Sequence, residues 1–379
     1  MYRARRNHRR VGTVVVQVVV CSTVLLGFCA LALDIAQLHL ARTELQRSAD
    51  AGALAGASVY LENAGLLQSN DLRNIAIQRA QAYAALNVTL GQPTLLDAAD
   101  VVAGTLDLDN PAAPLDTSGD ARFNAVRVLA RRTDGSSNGA VVHNFARILG
   151  FTEGGVGASA IAAFDDRFAG YRQTTQYGPL VPFTIHRDVY ADMLENGPDE
   201  YSYDSDSDIV LETADDVREV KLYPYWDNAP GNFGLLNIGT PNHGVPALEE
   251  QILYGVTAAD LELEIGTSEL TFYDSAGQPT TYNITGTPGL KVGLSDAVEQ
   301  RIGDVIGFFL HDQVTGNGAN AVYRIVDLRF GRVMTIDLHG NPNHKRLLIQ
   351  PVAYTGPGVV VHHDAPSSNG QVGALRIVR

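Results

Sequence analysis

Val11-Gly-Thr-Val-Val-Val-Gln-Val-Val-Val-Cys-Ser-Thr-Val-Leu-Leu-Gly-Phe-Cys-Ala-Leu-Ala-Leu33 runs without a break into Asp34-Ile-Ala-Gln-Leu-His-Leu-Ala-Arg-Thr-Glu-Leu-Gln-Arg-Ser-Ala-Asp50. The first segment carries no charge. At ~1.5 Å rise per residue its length reaches roughly 35 Å as a helix, enough to cross a bilayer core with some tilt. Five arginines (Arg3, Arg5, Arg6, Arg9, Arg10) precede it, and the next basic residue other than His39 is Arg42. That asymmetry places the N-terminus in the cytoplasm and the rest of the chain outside it.

Three other readings of this segment compete with a membrane span. Ala30-Leu31-Ala32 fits a small-x-small cleavage site, so a removed signal peptide stays open, although the apolar run is long for one. A lipoprotein needs a small residue before its cysteine, and Phe28 and Val20 stand there instead. Gly12 followed by an apolar run resembles a prepilin-type processing site, but Gln17 occupies the position where glutamate is expected.

The chain has 379 residues and a net charge of −14. No acidic residue precedes Asp34, so the part from Asp34 onward holds 23 basic against 42 acidic residues, a charge of −19. With no basic stripe, nucleic acid is not expected as a partner. Both cysteines, Cys21 and Cys29, lie inside the apolar segment. The exported part therefore contains neither a disulfide nor a cysteine-based zinc site.

Past Leu33, no proline interrupts the helical pattern. Ile35, Leu38, Arg42, Leu45, Ala49, Gly52, Gly56 and Val59 form a stripe at 3–4 spacing. The stripe is bulky at first and small from Ala49 onward. Glycine in a helix costs up to ~1 kcal/mol relative to alanine, so Gly52 and Gly56 imply close approach of another backbone. Two readings remain open: a stalk packed on its own domain, or a seam with another membrane subunit. Arg47 and Asp50 are spaced to pair on the outer face.

The pattern Asp34…Leu40-Ala41-Arg42…Glu44-Leu45-Gln46…Ala49-Asp50-Ala51…Ala53-Leu54-Ala55-Gly56-Ala57, after a basic and then apolar start, resembles the Tad (Flp) pilus-assembly proteins of the TadE/TadG-like group. Gly52 departs from that family's alanine-rich run. Residues 99–107, 124–132, 144–150 and 158–164 are also similar to TadG-like proteins, and a looser likeness touches 230–234 and 316–324. The resemblance implies a membrane-anchored, non-enzymatic accessory protein of a Tad-type pilus in the cytoplasmic membrane, with other Tad or pilin-like subunits and the lipid bilayer as partners. It implies assembly residues Asp34, Ala49, Asp50, Gly52, Ala53, Gly56 and Ala57. The alternative is an envelope-anchored adhesin or ligand-binding module acting through the C-terminal region.

The expected class is α+β. A basic tail (1–10), a transmembrane helix (11–33) and a helical stalk (34–60) lead into a small α+β domain (61–170), pilin-like by analogy. A mainly β domain (171–379) follows. Within the small domain, 71–90 reads as a helix, 101–108 and 123–130 as strands, 141–149 as a short helix stopped by Gly150, and 156–164 as a strand. In the last domain, short apolar runs at 180–185, 217–223, 261–265, 321–328, 333–338 and 347–353 read as strands, a sandwich being the form considered. One amphipathic helix is expected near 294–305, and 210–220 is unassigned. No internal repeat is evident.

Candidate chemistry is sparse. Gly135-Ser-Ser-Asn-Gly139 fits the hydrolase elbow pattern, yet its approach, Arg131-Arg132-Thr133-Asp134, is polar, so Ser137 reads as a turn residue. Asp204, Asp206 and Asp208 alternate as hard oxygen donors to calcium would, with Glu212 and Asp215 following. Ile209 stands where a calcium loop needs glycine, and a solvated acidic loop is the expectation. His339, His344, His362 and His363, with Asp337 and Asp364, meet on a metal only if two loops converge. Phosphate-loop, HExxH, CxxC and dinucleotide motifs are missing, and no cofactor is expected.

Overall fold

The computed structural model describes residues 12–62, 69–118, 123–174, 178–223, 233–239, 244–316, 318–338, 345–368 and 370–378. The basic tail, Pro230-Gly231-Asn232, Asn317, His339 and His344 lie outside them. One uninterrupted helix, α1 (Gly12–Glu62), carries both the apolar segment and the stalk. From Val14 to Cys29 every residue is exposed, large apolar side chains such as Leu26 and Phe28 included. From Asp34 onward one face turns inward, and Ala41, Leu45, Ala49, Ala53 and Ala57 are fully buried along it.

That face packs on α2 (Ser69–Ala85). Gly52 lies against Ala80 and Ala84, Gly56 against Ala76 and Ala80, so the two helices run antiparallel. Beneath them is a four-stranded antiparallel sheet of β1 (Val101–Gly104), β2 (Ala125–Arg132), β3 (Val156–Asp165) and a last strand, β14 (Ala374–Ile377), in the order β14-β3-β2-β1. Strand alternation divides the sheet's side chains. Val126, Val128, Ala130, Ala158, Ala160 and Ala162 join the helical core, while Ala125, Ile161 and Ala163 join Leu106 in a separate cluster. The alanines on β3 are small for the same reason as those on α1: helix and strand approach closely.

The expected helix at 141–149 is instead a short antiparallel pairing of 141–142 with 153–154, enclosing one 3-10 turn at Ala146–Leu149. Gly150, at φ 92°, ends that turn as its sequence position suggested. The boundary expected at 170 is crossed twice, because the sheet of the small domain takes β14 from the far end of the chain.

β4 (Phe168–Arg172) pairs with β8 (Glu269–Thr271) and β13 (Val359–Val361) in a three-stranded sheet. The larger sheet between them closes on itself. β5 (Leu180–His186) lies parallel to β10 (Val305–Thr315); β10 pairs with β11 (Ala321–Asp337), β11 with β9 (Tyr282–Pro288), β9 with β7 (Phe233–Leu236), and β7 returns to β5. β11 is long enough to run past this ring and pair with β12 (Arg346–Pro351), which carries β6 (Val220–Tyr223) at the edge. A closed ring therefore replaces the sandwich, and the two runs expected at 321–328 and 333–338 are one strand.

Phe308 and Phe309 sit in different cores, as alternation along β10 requires. One core collects Phe183, Phe308, Val333 and Ile349 beneath α3 (Arg187–Asn196), α4 (Val245–Tyr254) and α6 (Ser295–Glu299); the other collects Phe309, Tyr323, Ile325 and Phe330. The run at 261–265, expected as a strand, belongs to α5 (Ala258–Ile265). Its start is fixed by Thr257 and Asp260, which bond each other's backbone N–H, and its end by Gly266 in the left-handed region. The amphipathic helix expected at 294–305 is α6, five residues long, and β10 already begins at Val305.

Candidate functional site

Asp34 follows the last residue of the apolar segment and is 3% exposed. Its carboxylate accepts hydrogen bonds from three successive backbone N–H groups: Asn144 at 2.8 Å, Phe145 at 3.0 Å and Ala146 at 2.6 Å. It thus caps, from α1, the 3-10 turn at Ala146–Leu149. Burial works against its charge, but the three N–H groups and nearby His143 outweigh that and hold the carboxyl below the usual range. Gln37 adds a 2.8 Å bond from the Asn144 amide.

Further along α1, Ser48 donates to Thr94 at 2.9 Å, and Thr94 bonds Thr89 at 2.7 Å, in a buried polar chain. Glu44 accepts from the backbone of Leu90 at 2.8 Å. These contacts pin the 88–94 hairpin to the helix, and nothing in the local sequence pattern announces them. Asp50 takes its hydrogen bond from Gln46, at 2.7 Å, rather than from Arg47.

The small-residue stripe is occupied by the chain's own α2 and sheet. A methyl built on Gly56 would lie 3.0 Å from Val126 Cγ1 and 3.1 Å from both the Ala76 carbonyl oxygen and Ala80 Cβ; one on Gly52 would lie 3.0 Å from the Ala80 carbonyl oxygen. Of the expected assembly residues, Ala49, Gly52, Ala53, Gly56 and Ala57 are buried in this packing and Asp34 is bound to the 144–146 backbone. Half-buried Asp50 stands at its margin. These residues make contacts within the chain.

Ser137 lies in a turn flanked by Gly135 and Gly139, both at positive φ, and its hydroxyl bonds Asp97, which Arg131 approaches at 3.6 Å. Asp204, Asp206 and Asp208 form the tip of a hairpin joining 202–204 to 209–211. Asp204 accepts from Ser207 Oγ at 2.5 Å and from the Asp206 backbone at 3.0 Å, which hold its carboxyl low, and Asp208 accepts from Tyr203. The Asp204 and Asp208 carboxylates are engaged in shaping the turn. Among the described residues, one triplet with metal-ligand atoms within 4.8 Å of one another is found, His362, His363 and Asp364, with His363 Nε2 2.9 Å from Asp364. Asp337 is not part of it.

A second junction was not foreseen. Asp165, at the end of β3, is buried and receives Arg167 at 2.9 Å and Arg376 of β14 at 3.1 Å. Asp166 accepts from Ser367 and from the Gly370 backbone. The two carboxylates tie the exit from the small domain to the returning C-terminal chain.

A bare apolar helix that becomes the spine of a small α+β domain has the form of a single-pass membrane anchor joined to its folded domain. The comparisons agree with that form. Residues 12–59 match the family described as "Putative Flp pilus-assembly TadE/G-like", and residues 55–162 match "Putative Tad-like Flp pilus-assembly". The N-terminal region of the chain is therefore of the Tad pilus-assembly, TadE/TadG-like family, and the closed ring lies outside both matches. No curated protein and no solved structure matches the chain.

Proposed function

We propose that the protein is a single-pass, non-enzymatic accessory component of Flp pilus assembly. Its segment 11–33 spans the cytoplasmic membrane, with the basic tail in the cytoplasm and both folded parts outside. One observation carries the reading: the TadE/G-like match coincides with α1, whose first half is apolar and bare and whose second half is built into the domain that the second family match covers. Because the small-residue stripe is already occupied, the surface left on α1 for other Tad or pilin-like subunits is the bare half within the bilayer and the exposed face just past it, where Ile35 and Leu40 stand.

The test is a chromosomal deletion with pilus imaging, complemented by the full chain and by a chain carrying a periplasm-dependent phosphatase at its C-terminus. Loss of pili restored by the full chain, with an active phosphatase, is expected. Normal pili in the deletion strain, or a phosphatase inactive in an expressed, membrane-bound fusion, would overturn the proposal.

A further inference from the structure

We infer that the loop 145–151 is a second membrane contact, a foot that rests in the lipid interface beside the point where α1 leaves the bilayer. Ile148, Leu149 and Phe151 are 82%, 65% and 64% exposed, far beyond what a water-facing turn needs, and Phe145 stands partly exposed beside them. The segment 144–152 contains no acidic residue, and its single charge is the exposed Arg147, suited to anionic headgroups.

The position of the loop along α1 selects the occupant. Val14 to Leu33 gives about 30 Å of helix, the thickness of a hydrocarbon core, so Asp34 falls at the interface. Both ends of the loop's base touch α1 just past the apolar segment. On α1, Leu38 lies beside Gly154, Gln37 accepts from the Asn144 side chain, and Asp34 accepts from the backbone of 144–146. The tip at 147–149 follows directly on Ala146, which bonds Asp34 at the end of the apolar segment. Within the apolar segment, Ala30 and Leu31, one turn before Asp34, are partly shielded while residues 14–29 are bare. Apolar side chains with one cation at headgroup depth match an interfacial lipid contact. Such a foot, with the helix, would fix the tilt of the folded body over the membrane.

The inference rests on the reading of 11–33 as a span, and the experiment separates the two. The full chain carrying Cys21→Ser, Cys29→Ser and Leu149→Cys is labelled with an environment-sensitive nitrobenzoxadiazole dye. It is then reconstituted into phosphatidylethanolamine–phosphatidylglycerol vesicles with or without lipids spin-labelled near the headgroup. The same label at Leu263→Cys, exposed on α5, is the reference. Flotation with the vesicles reports the span. The dye at 149 should be blue-shifted and lose most of its emission to the spin-labelled lipid, while the reference stays unquenched. Floating protein whose label at 149 behaves like the reference overturns the foot and leaves the span standing. A blue shift that ignores the spin label and grows with protein-to-lipid ratio assigns the patch to a second copy and also overturns it. Failure to float removes the span and the foot together.

Discussion

Substituting Gly56 distinguishes a stripe packed within the chain from one reserved for a partner. For Gly56→Ala, the added methyl meets three neighbours at 3.0–3.1 Å, one of them a backbone carbonyl, so Val126 and Ala80 must each yield by a few tenths of an ångström. Against that stands the helix-propensity gain of about 1 kcal/mol. The two nearly cancel, and little net change is expected. For Gly56→Leu the propensity gain is similar, but the rest of the side chain must enter a space already bounded by Val126, Ala76 and Ala80. Overpacking of this kind costs typically 1–3 kcal/mol and sometimes more. With the backbone of α2 itself in the way, the net loss should be about 2 kcal/mol.

Hydrogen exchange read by mass spectrometry on the detergent-solubilised full chain measures this locally. At about 1.4 kcal/mol per tenfold change, protection in α2 and β2 should fall roughly thirtyfold in Gly56→Leu. Peptides from β10, in the ring, supply an internal reference that stays constant. Unchanged protection across 69–85 and 125–132, together with lost co-purification of membrane partners, would refute the intramolecular packing and return the stripe to an assembly seam.

Asp34→Asn should free the 143–151 loop, read as faster tryptic cleavage after Arg147 in the folded protein. In the parent chain, a carboxyl held low contributes stability that is complete above its unfolded value near 3.8. That stability is lost as pH falls through the depressed folded value, so cleavage by an acid protease should leave the loop protected down to about pH 4 and open it below. Thr257→Ala should cost about 1 kcal/mol through the lost cap on α5, seen as faster exchange in 258–265 with the Tad-type sheet unaffected. Millimolar calcium should leave the melting temperature unchanged, because Asp204 and Asp208 are engaged in their own turn; a clear rise would reopen an ion site there. A chain ending at residue 170 should express poorly or aggregate compared with the full chain, since it leaves β3 as an open edge next to an Asp165 that has lost Arg376; normal solubility would contradict the closing role of β14.

What the sequence disclosed and what it hid divide by the range of the interactions. α1 was legible because its signals are local: an uncharged run, then a 3–4 stripe without proline. The strands at 125–132 and 156–165 were legible from alternation and β-branched residues. The capture of residues 144–146 by Asp34 was not, because a backbone N–H has no signature in a side-chain pattern and the two partners are 110 residues apart. The buried Ser48–Thr94–Thr89 chain is hidden for the same reason. The error at 261–265 is of a different kind. Leu261-Glu-Leu-Glu-Ile265 alternates like a strand, but Thr257 and Asp260 before it and Gly266 after it are helix cap residues, and capping prevailed over a five-residue alternation. Closure of the ring depends on a parallel pairing of 180–186 with 305–315, which no local pattern encodes.

The return of β14 changes what the C-terminal half is. A domain appended to a finished Tad-type unit would leave β3 as the edge of a three-stranded sheet. Here β3 is an interior strand, paired with β2 on one side and with 374–377 on the other. Asp165 bonds both Arg167, where the chain leaves, and Arg376, where it comes back. Residues 168–372 therefore stand in the small domain as an insertion between two neighbouring strands, held at both ends rather than hung from one. Two attachment points restrict rotation of the ring more than a single linker would, and β3, which carries one of them, packs directly against α1. Where β3 and α1 meet, Ala158, Ala160 and Ala162 face Ala49, Ala53 and Ala57, and side chains this short leave little room for sliding. The small residues along α1 thus lie where β3, the strand from which the insertion leaves, packs on the helix.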